Sequence, residues 1–141
     1  MKRCPELQKL SREHHDALRI ALNLRRAAAG DEATVEAACI EARRCFEAEL
    51  LPHFQEEERC LLPYLQSAGG EAVVARTLIE HRTMIRLIRE LEIPDADTLL
   101  RFADLLTAHV RFEERELFES AQLLLGGDVM ARIARCSGET A

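Results

Sequence analysis

Apolar positions recur along this chain with a period near 3.6, the mark of amphipathic helices rather than strands. In residues 6–29, Leu7, Leu10, Leu18, Ala21 and Ala28 fall within about 40° of His14 on a wheel of about 100° per residue, and Gly30 ends the run. His15 falls toward the polar side with Arg19 and Arg26, while the wheel turns Arg25 inward. Asp31 is placed to cap a second helix that runs to about Ser67. Pro52 is expected to kink or break that helix, because proline lacks a backbone donor. A third helix over about 71–92 sets Val74, Leu78, Met84, Ile85 and Ile88 around His81. Past Pro94, Asp95 or Asp97 caps a fourth helix over about 97–125, with Phe102, Leu105, Leu106, His109, Phe112 and Glu113 on one face. Gly126 and Gly127 close it, residues 128–136 can form a short fifth helix, and Ser137–Ala141 are expected to fray.

Four amphipathic helices with short connections predict an all-α, up-down-up-down antiparallel four-helix bundle. The bundle is expected to span residues 1–127, with a short C-terminal helix and tail over 128–141. Counting from the turns puts His53 and His81 at similar depth, and likewise His81 and His109. His14 and His53 match less well, which requires a longer first loop or an irregularity at Pro52.

Composition supports helices: aliphatic residues and Ala dominate, with only four Pro and six Gly. The formal charge of −6 and scattered Lys and Arg argue against a nucleic-acid partner. No apolar run approaches the roughly 18 residues of a membrane span. The start, MKRCPELQKL, has no apolar stretch of a secretion signal. The expectation is a cytoplasmic protein. Five Cys (4, 39, 45, 60, 136), odd in number and without a C-x-x-C, read as free thiols, with Cys60 facing inward.

One pattern occurs twice. His53-Phe54-Gln55-Glu56-Glu57-Glu58-Arg59-Cys60-Leu61 and His109-Val110-Arg111-Phe112-Glu113-Glu114-Arg115-Glu116-Leu117 both read H-x-x-x-E-E-R-x-L. Residues four apart share a helix face, so each copy presents an imidazole beside a carboxylate. Each is preceded by a Glu-His step, Glu13-His14 and Glu80-His81. The repeat selects His14 over His15 as the partner of His81 and predicts a pseudo-two-fold arrangement.

The convergent set is His14, His53, Glu57, His81, His109 and Glu113. Imidazole with carboxylate suits Fe, Mn or Zn, not the oxygen-rich sites of Ca or Mg. Six ligands exceed one tetrahedral zinc. They suit two metals bridged by Glu57 and Glu113, with two His on each and an oxide or hydroxide bridge to limit uncompensated charge. Four inward His and two inward Glu without a metal would be costly. Glu49 and Glu116 fall near the inward sector as rim residues, and Tyr64 falls on the site side of the second helix as a core residue with a satisfied hydroxyl. Glu56, Glu58 and Glu114 read as a solvated exterior.

EHHDAL, HFQEEERCLLPYL, the Glu80-His81 step and HVRFEERELF resemble the hemerythrin-like (HHE cation-binding) family over about residues 7–125. The resemblance implies a four-helix bundle around a non-haem diiron site whose ligands are the six residues above. Oxygen-carrying hemerythrins have a second His one turn along the third helix, where this chain has Thr77 and Ile85 flanking His81. The symmetric set is more similar to diiron proteins of iron–sulfur cluster repair and nitric oxide response. The implied functions are binding of, or reaction with, O2, peroxide or NO in redox sensing or protection. An enzyme (peroxidase, catalase-like or oxidase) and iron storage or donation are the alternatives, and a helical interaction module is the reading without metal. Glu116 or Tyr64 within reach of the metals would favour an enzyme.

Overall fold

The computed structural model describes residues 3–139, and every regular element among them is helical. A short turn at Pro5–Leu7 leads into α1 (Gln8–Ala28), followed by α2 (Glu32–Cys45), α3 (Leu51–Cys60), α4 (Leu62–Ser67), α5 (Glu71–Glu90), α6 (Ala96–Phe112), α7 (Phe118–Leu124) and α8 (Gly127–Glu139). In three dimensions α2 to α4 form one rod and α6 to α7 another. With α1 and α5 they make the four-helix bundle, and α8 is the extra helix at the C-terminus. None of the described helices is long and apolar enough to cross a membrane.

The helix starts follow local chemistry. Asp31 accepts from the Thr34 backbone N–H at 2.8 Å, and Asp95 accepts from that of Thr98 at 2.9 Å. Each satisfies a donor that the first turn leaves unpaired. Gly69 turns the chain between α4 and α5 at a φ of +98°, a region that a side chain would make strained. The neighbouring Gly70 N–H then closes on the Leu65 carbonyl at 2.8 Å.

Pro52 does not break its helix. The five residues before α3, Phe46–Leu50, form a π turn in which the Leu51 N–H reaches back to Phe46. The wider turn accommodates the proline inside a continuous rod. The break comes later, at Leu61 (φ −115°), ahead of Pro63. A second π turn, Glu113–Leu117, joins α6 to α7. Arg25 lies outward, paired with Asp104 at 3.3 Å.

Two apolar clusters fill the bundle. One contains Ala17, Ile20, Leu24, Leu50, Phe54, Met84, Leu87, Phe102, Leu106 and Val110. The other contains Leu7, Leu10, Leu61, Leu65, Val74, Phe112, Leu117 and Phe118, and α8 adds Met130 and Ile133 to it. On each rod the sequence passes from one cluster to the other across a short polar interval: His14 on α1, His53 and Glu57 on α3, His81 on α5, His109 and Glu113 at the end of α6.

Two expectations about the C-terminus are corrected. The helix continues through Glu139, and Ser137 is buried against Glu56, so the stretch does not fray there. Thr140 and Ala141 lie outside the described residues. Cys60 and Cys136 are not free thiols; they form a disulfide that ties α8 to α3, while Cys4, Cys39 and Cys45 are free. An apolar face on α8 brings Cys136 onto the bundle beside Cys60, a proximity that residue spacing alone could not reveal.

Candidate metal centre

The polar interval between the two clusters is a buried place that holds four imidazoles and two carboxylates, each residue no more than 6% exposed. His14, His53, His81 and His109 come from four different rods. Glu57 and Glu113 follow His53 and His109 by one turn. All six residues picked out in the sequence meet here. His15 is exposed, as the wheel placed it.

The carboxylates stand between two imidazole pairs. Glu57 Oε2 lies 3.1 Å from His53 Nε2 and 3.9 Å from His14 Nε2, while its Oε1 lies 3.2 Å from His81 Nε2. Glu113 Oε1 lies 2.8 Å from His14 Nε2 and 3.9 Å from His53 Nε2. Its Oε2 lies 3.1 Å from His109 Nε2 and 3.8 Å from His81 Nε2. Each carboxylate thus offers one oxygen to each pair. Two groups result, His14–His53–Glu57–Glu113 and Glu57–His81–His109–Glu113, each with ligand atoms within 4.8 Å of one another, and each able to hold a cation.

Several of these atoms have no partner of their own. Both Glu57 oxygens, Glu113 Oε2, His81 Nε2 and His109 Nε2 are buried without a hydrogen bond. Such groups cost free energy unless something satisfies them. His14 Nε2 and His53 Nε2 face each other at 3.2 Å. Two lone pairs at that distance repel unless a proton or a cation lies between them. The residues therefore fit metal ions as their common partner.

The other nitrogen of every ring is also held. Nδ1 of His14 lies 2.6 Å from Glu114, that of His53 2.9 Å from Glu13, that of His81 2.7 Å from Glu58, and that of His109 2.7 Å from Glu80. An ionised carboxylate only accepts, so Nδ1 carries a proton, and with a cation in the centre Nε2 would be the nitrogen that gives it a lone pair. This is the orientation a metal-binding imidazole needs. The pairing obeys the repeat: Glu58 and Glu114 hold the Glu-His-step histidines, and Glu13 and Glu80 hold the other two. Glu58 and Glu114 are thus not merely solvated exterior, and neither is Glu56, which is buried beside Lys9 at 2.6 Å. The sequence signal for the four was their adjacency to a ligand, in Glu13-His14, Glu57-Glu58, Glu80-His81 and Glu113-Glu114.

Electrostatics in the metal-free protein follow from this crowding. Burial pushes the His81 imidazolium toward losing its proton, but Glu113, Glu57 and Glu58 outweigh it and hold the pKa up to about 11. Burial acts likewise on His109, yet Glu113 and Glu80 raise it to about 9. His53 rises well above its usual value and His14 rises too, again against burial and through their carboxylates. Burial favours a neutral Glu113, but His109, His14 and His53 hold it well below the usual carboxylate range.

Aromatic rings wall the centre. Phe54 stacks on His81 at 4.1 Å between centroids, and Phe118 on His14 at 5.2 Å. Glu116 is exposed and pairs with Arg76 at 3.4 Å. Tyr64 packs against the cluster around Leu61 and Leu65, the core position expected of it.

No curated protein and no solved structure matches the chain. A family model does, over residues 7–121, a span that contains all six buried ligand candidates and all four carboxylates behind them. That model describes the hemerythrin HHE cation binding domain, and the chain belongs to this family.

Proposed function

We propose that His14, His53, His81 and His109, with Glu57 and Glu113 shared between the pairs, hold two non-haem iron ions. We further propose that the centre binds or reacts with O2, peroxide or NO in redox sensing or protection. The observation that carries the reading is the pair of carboxylates, each with one oxygen toward each imidazole pair. Four nitrogens and two bridging carboxylates suit iron, with Mn or Zn as substitutes and an oxide or hydroxide as a further bridge. When bound, such a pair supplies electrons and open coordination positions.

The chain's own residues do the rest. Glu13, Glu58, Glu80 and Glu114 keep a proton on each Nδ1 and aim each Nε2 inward. Phe54 and Phe118 stack on His81 and His14, and the two apolar clusters close the centre at either end. Binding is favoured over turnover because the acid–base candidates lie elsewhere: Glu116 is paired outward and Tyr64 sits in the second cluster. The proposal keeps the chain in the cytoplasm, with Cys4, Cys39 and Cys45 as its free thiols.

Metal analysis and an absorption spectrum of protein purified without chelator test the reading. About two irons per chain with charge-transfer bands is the expected result. A metal-free folded chain, or one ion per chain, would sink it. Sustained multiple turnover of peroxide would move the reading to an enzyme, and rapid loss of iron to a weak chelator would move it to iron donation.

A further inference from the structure

The two halves of the repeat fill space unequally around the centre. Phe54, one residue after His53, covers His81; the residue after His109 is Val110. Met84, three residues after His81, is fully buried; the residue three after His14 is Ala17. Large side chains therefore close the His81 side. On the His14 side two small ones border a cavity of about 200 Å³, whose lining runs from buried His14, His53 and His109 to exposed Asp16, Ala48 and Glu49. His109, in its floor, carries a buried Nε2 without a hydrogen-bond partner.

Size and charge restrict what this cavity can pass. A water occupies about 30 Å³ of liquid, so a few small molecules fit, whereas sites for drug-sized ligands begin at about 300 Å³. The lining contains three carboxylates, Glu13, Asp16 and Glu49, and no Lys or Arg. Glu13 is engaged by His53 and Lys9, and Asp16 by Arg19. Arg44, the cation near Glu49, is already bonded to Glu41. Glu49 is thus the least compensated charge on the rim.

We propose that this cavity is the path by which a small uncharged molecule reaches the centre from the His14 and His53 side, and that Glu49 turns anions away. The proposal rests on the dinuclear reading above. It is tested with two probes on iron-loaded protein, azide on the ferric form and nitric oxide on the ferrous form. Association rates are read from the absorption change, and iron per chain is measured alongside.

Ala48→Trp, on the exposed rim, should slow both probes on the order of tenfold by filling the passage, with iron content unchanged. Glu49→Trp places a second obstruction on the same rim should the first variant fail to fold, and it is read with nitric oxide alone because it also removes the Glu49 charge. Glu49→Lys should speed azide about threefold or more at low salt, fading as salt is added, and leave nitric oxide unchanged. Rates that ignore the tryptophans overturn the path. An azide rate that ignores Glu49→Lys overturns the role of Glu49. Wild-type protein without iron overturns the dinuclear reading instead, so the two failures are distinguishable.

Discussion

His14 Nε2 and His53 Nε2 face each other across 3.2 Å, although their helices come from opposite sides of the first turn. Only a proton or a cation between them favours that approach. Replacing His81, the corresponding residue of the second pair, by alanine should remove most of the bound metal. His15→Ala, at an exposed position one residue from His14, should leave metal content unchanged. Metal per chain for the two variants checks this, and equal losses would refute the choice of ligand on α1.

The outer carboxylates should tune the metal as well as hold the rings. Replacing Glu80 or Glu58 by glutamine keeps a hydrogen-bond partner but removes a negative charge. Metal affinity should fall about tenfold or more, and the midpoint potential should rise because less charge stabilises the oxidised ions. Glu80 is 15% exposed and Glu58 42%. Solvent screens the second more, so Glu80→Gln should have the larger effect. A potential unchanged in both variants would reduce these residues to packing.

Metal-free protein should have a stability optimum in mildly acidic solution. The histidines have folded pKa values above an unfolded value of about 6.5, with His109 at about 9 and His81 at about 11. Their contribution is complete below the unfolded pKa and is lost as pH rises through the folded ones. Glu113 is shifted the other way, well below the usual carboxylate value, so its contribution is lost only as pH falls through that lowered value. Thermal melts with chelator present should show the midpoint falling between pH 6.5 and 9 and further toward 11. A flat profile over that interval would contradict the charged state assigned to the four rings.

The disulfide closes a long loop, with 76 residues of separation between Cys60 and Cys136. Constraint of the unfolded chain by such a loop contributes about 2–4 kcal/mol. Cys136→Ser should lower unfolding free energy by about that amount, measured by denaturant titration, and added reductant should do the same to the wild type. Identical curves for the wild type with and without reductant would show that the bond does not form.

Much of this was legible from periodicity alone. The inward faces of α1, α5 and α6 were, because each stays in phase from its first turn to its buried histidine. The six ligand candidates were, because the H-x-x-x-E pairs are local and the repeat named their partners. What failed lay beyond an irregularity or across the bundle. The break expected at Pro52 did not come there, because the π turn before it accommodates the proline and the helix breaks at Leu61 instead. Glu58 and Glu114 point off the inward sector of their own helices and still reach an imidazole on a neighbour, which a wheel of one helix does not display. The depth mismatch between His14 and His53 is met in part by the irregularity expected near Pro52, the π turn at Phe46–Leu50 with its extra residue. Side chains lean toward the N-terminus of their helix, so in an antiparallel pair these two lean toward each other's level.

The π turn at Glu113–Leu117 has a consequence for insertions and deletions. It holds one residue more than an α-turn needs. Excising a residue such as Glu116, whose side chain is outside the centre, would return the segment to regular winding with all that follows nearly in phase, whereas inserting a second extra residue there would rotate all that follows by about 100°. Phe118 would then swing off the His14 ring, and Ala121 out of the cluster it shares with Leu10 and Leu65. A single-residue insertion on the surface would thereby open the buried centre to solvent without altering any of its six residues.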